Sequence, residues 1–285
     1  MSEVQTQTSP PPPQIGLTPA MRQYQQFKTQ YPDYVLFFRM GDFYEMFWED
    51  ARLASRVLGV ALTSRSRGGL DAEDAIPMAG VPFHAVENYL RRMIAAGHKV
   101  AICEQVENPA DAKGVIKREV VRLMTPGTLT DDQLLDGRAD NFLAAVAFGT
   151  TKTNGFRAGL VWIELSTGSC TATSASEGEI LDEIARLKPA EVLVPENPSG
   201  EPHDIAKKIQ ALGIKAITPR PGWQFTPHHA KQELKRQWHL SATAGIGFES
   251  DDPALHAIAA VLSYLTETQK SSLAHLRIPH RHIVH

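Results

Sequence analysis

Apolar and polar positions alternate along this chain with two periods, and each period marks a kind of element. Thr18 followed by Met21, Tyr24 and Phe27 at helical spacing predicts a helix over 18–30. The run Val35-Leu36-Phe37-Phe38 is apolar and nearly unbroken, as in a buried strand over 34–40, and Gly41-Asp42 punctuates it. From Phe43 onward, Phe47, Ala54, Val57 and Leu58 recur at mostly three- and four-residue spacing among Glu49, Asp50, Arg52 and Arg56, which predicts an amphipathic helix over 43–58. Asp42 is then its N-cap, and Glu45, three residues on, completes a capping box. A strand over 59–65, a Gly/Asp-rich turn, a helix from His84 to Ala96, and strands from Lys99 to Val106 and Lys117 to Met124 follow. This alternation predicts a mixed α/β sheet domain over 16–130, and the acidic stretch 131–140 reads as a linker.

A second unit is expected over 141–270. Strands at Phe142–Phe148 and Gly159–Leu165, joined by a Thr/Asn/Gly loop, and a third strand near Cys170 form a meander. Helix and strand then alternate: Ile180–Leu187, Glu191–Val194, Asp204–Leu212 and Lys215–Ile217, with closing helices over 227–238 and 253–269. That is the order of an RNase H-like α/β domain. Residues 1–15, with prolines from Pro10 to Pro13, read as a disordered low-complexity arm, a polyproline ligand being the alternative.

Composition narrows the class. A chain of 285 residues that is 42% hydrophobic and 21% charged suits a folded globular protein with two cores. The sequence holds no apolar run of the roughly eighteen residues that span a bilayer and no apolar leader, so a cytoplasmic location is expected. Cys103 and Cys170 lie far apart within predicted strands and read as buried, reduced thiols. The formal charge is -3, and residues 16–130 hold fourteen Lys and Arg against thirteen Asp and Glu. So neutral a domain cannot grip nucleic acid mainly by counterion release.

The chemistry concentrates at Phe43 and Glu45. Phe43 can be a core residue and Glu45 a cap. Alternatively, an aromatic presented at the tip of an element is a wedge that unstacks a base step and kinks a duplex. A carboxylate beside it repels phosphates but can test one base edge: it accepts from the imino proton of an unpaired thymine or, when protonated, donates to a purine's Hoogsteen nitrogen.

The segment RMGDFYEMF over 39–47 resembles the Phe-x-Glu mismatch-reading motif of the bacterial MutS family. IPMAGVPFHAVENYL over 76–90, VAICEQVENP over 100–109 and VVRLMTPGT over 120–128 resemble the same family in the same order. The resemblance implies a mixed-sheet mismatch-recognition domain followed by an RNase H-like connector, with 271–285 as the start of a lever region. It implies that Phe43 stacks on the mispaired base from the minor groove, that Glu45 hydrogen-bonds it, and that Arg65 approaches the DNA backbone, with Arg67 weaker. Implied partners are duplex DNA with mismatches or small insertion loops and, through the connector, other mismatch repair proteins, in a nucleoid-associated cytoplasmic setting.

The sequence contains no Walker A loop, so no ATP site is assigned, although ATP and Mg belong to the full-length family. The chain is read as a binding module rather than an enzyme, as a truncated product or a fragment, with family-type dimerisation in doubt. Met40 and Met78 are read as core with minor-groove contact as the alternative, and His84 as a helix start. His228, His229, His280, His282 and His285 are not read as metal ligands. Glu164, Asp182 and Asp204 are the acids a nuclease would use and are read as solvated. A partner-binding scaffold without DNA contact and a metal-dependent nuclease remain the alternatives.

Overall fold

A computed structural model of the chain describes residues 17–65, 70, 75–107, 114–130, 140–151, 155–240, 242–269 and 272–284. The Pro-rich arm, Arg67, His285 and nearly all of the 131–140 linker lie outside these residues. The chain divides into two compact units, one of residues 1–84 and 101–122 and the other of 85–100 and 123–285.

In the first unit, α1 (Pro19–Gln30) starts at Thr18, whose side chain accepts from the Met21 N–H, and Pro19 occupies the first turn, where no N–H is required. Then come β1 (Tyr34–Met40), β2 (Phe43–Phe47), α2 (Trp48–Leu58), β3 (Thr63–Ser64) and β4 (Pro77–Pro82). In chain order α3 (Val86–Ala95), which falls in the other unit, comes next, and β5 (Lys99–Gln105) and β6 (Arg118–Met124) follow it. The sheet runs β3-β4-β2-β1-β5-β6, with β2 inside it, antiparallel to both β1 and β4. Beside it, the Tyr24 ring meets Phe38 and Phe47 edge-on at centroid distances of 5.5 and 5.1 Å. Buried Asp50 on α2 accepts from the Tyr24 hydroxyl at 2.7 Å, the Leu36 N–H at 3.0 Å and Lys28 Nζ at 2.8 Å. One carboxylate thus fixes α1, β1 and α2 together.

Two expectations fail here. The helix expected from Phe43 begins only at Trp48, and residues 43–47 are strand. Asp42 is therefore no N-cap and Glu45 no capping-box partner: the cap position is Phe47, which makes no side-chain cap bond. Three- and four-residue apolar spacing does continue through Ala51, Ala54 and Leu58, but the segment 43–47 also alternates, with Tyr44 and Met46 buried on one face. Pairing on both flanks decided in favour of the strand. The strand expected over 59–65 shrinks to Thr63–Ser64.

The second unit carries β7 (Phe142–Thr151), β8 (Gly155–Glu164), β9 (Ser169–Ala175), α4 (Glu177–Leu187), β10 (Glu191–Pro195), α5 (Ile205–Ala211) and β11 (Ala216–Arg220). It closes with α6 (Pro227–Trp238), α7 (Pro253–Thr268) and β12 (His280–Arg281). The sheet order is β11-β10-β7-β8-β9-β12, with β7, β8 and β9 an antiparallel meander and β10, β11 parallel. Alternation along β7 sends Leu143, Ala145 and Ala147 to the side of α6 and α7, and Ala144 and Val146 to the side of α4 and α5. The sheet is thus buried on both faces, which is why its strands read as unbroken apolar runs. Both cysteines are free and buried, their thiols pushed up to about 12 chiefly by burial. No described helix is long and apolar enough to cross a membrane.

Candidate nucleic-acid interface

The two residues between β1 and β2 fix where Phe43 stands. Gly41 has φ +59 and Asp42 has no positive φ, the type II′ pattern whose twist suits a two-residue hairpin, and Met40 pairs with Phe43 across it. The Phe83 N–H donates to the Asp42 carbonyl at 2.9 Å, tying the turn to the end of β4. Phe43 is therefore the first residue of an interior strand.

Side chains two apart on a strand share a face, whereas on a helix they do not. Phe43 and Glu45 consequently project together, with Tyr44 between them turned into the core at 5% exposure while Phe43 is 47% exposed. On β4, Pro82 lies opposite Phe43 and Gly80 opposite Glu45. A Cβ at Gly80 would sit 3.7 Å from Phe43 Cδ1 and 3.9 Å from Glu45 Cγ, so the glycine leaves the space between the two side chains open. Met40 and Met78, both half-buried, border the same face through their pairing with Phe43 and Phe47.

Arg65, just beyond β3, completes the cluster: its Nη1 reaches Glu45 Oε2 at 3.1 Å and Met40 Sδ at 3.6 Å. All three residues singled out from sequence thus belong to one face, with Glu45 in contact with Arg65 and neighbouring Phe43. Burial lifts the Glu45 carboxyl above its ordinary range, opposed first by Arg65 and then by Arg118. Arg118 is buried, and its guanidinium donates to the Arg39 carbonyl at 2.8 Å, Gln23 Oε1 at 3.1 Å and the Ile116 carbonyl at 3.0 Å. On the opposite face of β2 the Tyr44 hydroxyl donates to Glu104, and burial with that carboxylate raises the phenol to about 12. Arg39 lies 3.8 Å above the Phe83 ring.

Sequence reasoning missed Gly80 and Arg118. Gly80 sits in the alternating run Pro77-Met78-Ala79-Gly80-Val81-Pro82, where period two and an isolated glycine signal a strand at which something approaches closely. Nothing local marks Arg118. The other singled-out residues lie elsewhere. His84, in a short 3₁₀ turn, meets the Phe83 ring edge-on at 5.9 Å. Glu164 accepts from Thr167 at 2.7 Å, Asp182 lies on α4, and Asp204 precedes α5 and pairs with Lys207 at 3.8 Å. His229 bonds Ser263 at 2.7 Å, and His282 lies 3.7 Å from Glu183. Among the described residues no three His, Cys, Asp or Glu side chains come together as metal ligands would.

Fold and face together define a two-domain mixed α/β protein whose first sheet presents an aromatic and a carboxyl side by side. Residues 18–133 match MutS domain I and residues 141–277 match MutS domain II. The chain belongs to the MutS family, which supports a role in DNA mismatch repair, residues 18–133 corresponding to the mismatch-recognition domain and residues 141–277 to the connector. Among solved structures, the catalytic core domain of BIV integrase aligns with 46% of this chain and 85% of its own at 20% identity. Its TM-score of 0.22 is too low to bear on the fold.

Proposed function

We propose that the face shared by β2 and β4 reads mispaired or unpaired bases in duplex DNA. Phe43 enters a base step as a wedge and stacks on the displaced base, Glu45 hydrogen-bonds that base's edge, and Arg65 reaches the phosphate backbone. The observation that carries this reading is the strand spacing: it places an exposed aromatic and a half-shielded carboxyl on one face, with Gly80 of β4 opposite the carboxyl leaving the space between them open. Selectivity follows from cost. Unstacking a base takes a few kcal/mol and least where pairing is already lost, so equal contacts give net binding chiefly at such sites.

The second unit acts as an RNase H-like connector that meets other repair proteins. Its central meander flanked by parallel β10 and β11, with helices on both faces, supports that assignment. The chain works as a binding module without ATP chemistry of its own.

Two substitutions test the reading. Phe43→Ala removes the stacking ring, and stacking is worth about 1 to 3 kcal/mol, so preference for a mismatched over a matched duplex is expected to fall about ten- to a hundredfold. The melting temperature should barely move, because the ring is half in solvent. Glu45→Ala loses the base bond and also a charge that repels phosphate, so matched-duplex binding should hold or rise while discrimination drops. Titration of fluorescent matched and mismatched duplexes, with thermal melts of both variants, reads this out. A Phe43→Ala protein that unfolds, paired with a Glu45→Ala protein of unchanged discrimination, would sink the assignment.

A further inference from the structure

Two cations of unequal freedom act on Glu45: Arg65 pairs with it at 3.1 Å, and Arg118 acts through space. Arg118 is built in: it is 7% exposed, makes three hydrogen bonds within the unit, and lies 4.7 Å from the Phe38 ring. Arg65 is attached more loosely. Its contacts to Glu45 and Met40 both fall on Nη1, and its side chain is 37% exposed where that of Glu45 is 20%. Its backbone N–H is fixed to the Ile76 carbonyl at 3.2 Å, so the guanidinium can swing about an anchored residue.

We propose that Arg65 is a displaceable counter-ion for Glu45 and so a positioning residue that decides which base edge the carboxyl can meet. The base-edge part rests on the mismatch-reading assignment, whereas the counter-ion part does not. While paired, the carboxyl stays ionised and can only accept, which suits the imino N–H of thymine. A backbone phosphate offers the guanidinium a bidentate contact in place of the single-nitrogen contact it has to Glu45. Drawn off, Arg65 leaves a half-shielded carboxyl on which, among the described residues, Arg118 is the remaining cation. That carboxyl takes a proton from solvent, and its O–H donates to a purine N7, an atom an ionised carboxylate would repel. Among the described residues, the strands paired with β2 place no charge opposite Glu45: β4 presents Gly80 and β1 presents Phe38. Burial already favours the neutral form, and Arg65 is the larger of the two opposing influences.

The titration of the Glu45 carboxyl carbon, followed by NMR without DNA and assigned with Glu45→Gln, tests the counter-ion. Arg65→Gln is expected to move its midpoint up, and Arg65→Lys, which keeps the charge, to restore it toward the original value. Arg65→Met keeps an apolar contact to Met40 and provides a second neutral variant with the same expectation. An unmoved midpoint in both neutral variants overturns the proposal. Duplexes carrying one extra thymine, adenine or 7-deazaadenine test the base edge. At neutral pH Arg65→Gln should shift preference from thymine toward adenine, up to about tenfold per unit of midpoint shift, and 7-deazaadenine should abolish the gain. Equal weakening on all three duplexes would reduce Arg65 to a phosphate contact and overturn the base-edge part. Should Phe43→Ala retain full discrimination, the mismatch reading falls, and the DNA-free titration still judges the counter-ion.

Discussion

At the scale of the residue, Glu45 and Asp50 are opposite uses of a carboxyl. Asp50 accepts from donors on two elements, α1 and β1, and ties them to its own helix α2. Glu45 is shielded without being satisfied to the same degree, and its proton affinity is raised. A carboxyl of raised folded-state affinity adds stability below its unfolded value of about 4.3, and that contribution is lost as pH rises through the folded value. Glu45→Gln is therefore expected to raise the melting temperature at pH 7, with the gain shrinking toward zero below about pH 4.3. Melts of both proteins across this range check it; a variant that melts lower at pH 7 would mean that the bond to Arg65 outweighs the shielding. A residue that a fold keeps at a cost in stability is a residue kept for something else. Phe43 and Glu45 could be found in the sequence because a motif carries them. Arg118 could not, because its nearness to Glu45 depends on how β6 comes to lie in the sheet.

Elements explain what the residues could not. Apolar spacing around Phe43 fits a helix and a strand equally over five residues, and the decision came from β1 on one side and β4 on the other, pairings that no local window contains. In the second unit the capping box of Ser176 with Glu179 and the long apolar runs of β7 and β8 agree with the final topology, whereas β12, in the 271–285 stretch expected to open a lever region, joins the sheet beside β9. The open space at Gly80 is a property of the pair β2 and β4. Gly80→Val should leave the fold intact, because the Cβ meets its neighbours at no less than 3.6 Å, yet its methyl groups enter the gap between Phe43 and Glu45. Discrimination is expected to drop several-fold with little change in melting temperature, and paired titrations and melts measure both. Loss of folding in this variant would show that β4 has no room to spare.

Taken whole, the molecule has little charge with which to hold DNA: -3 over the chain, and near balance over residues 16–130. Binding of a matched duplex at physiological salt is expected to be no tighter than about 1 µM, the tight end of ordinary non-specific binding. Fluorescence anisotropy against a salt series measures it, and nanomolar binding would reveal a basic surface outside the residues described. The architecture of both units was legible because helices and buried strands repeat their periods over many residues. The exceptions were short segments, where a period has too little length to declare itself: 43–47 and 59–62 were assigned the wrong element, and β4 and β12 were assigned none. Segment 43–47 also sets what kind of change this protein can absorb. The hairpin turn at Gly41-Asp42 can lengthen, since an extra residue there is taken up outside the ladders. One residue inserted between Phe43 and Glu45 is a different matter: it reverses their parity, turning one of the two to the core side, and neither flanking ladder can accept a bulge without disturbing the other. Drift by substitution is open to this surface, but drift in length is closed, so the single residue between the aromatic and the acid is an arithmetic constraint set by the pleat.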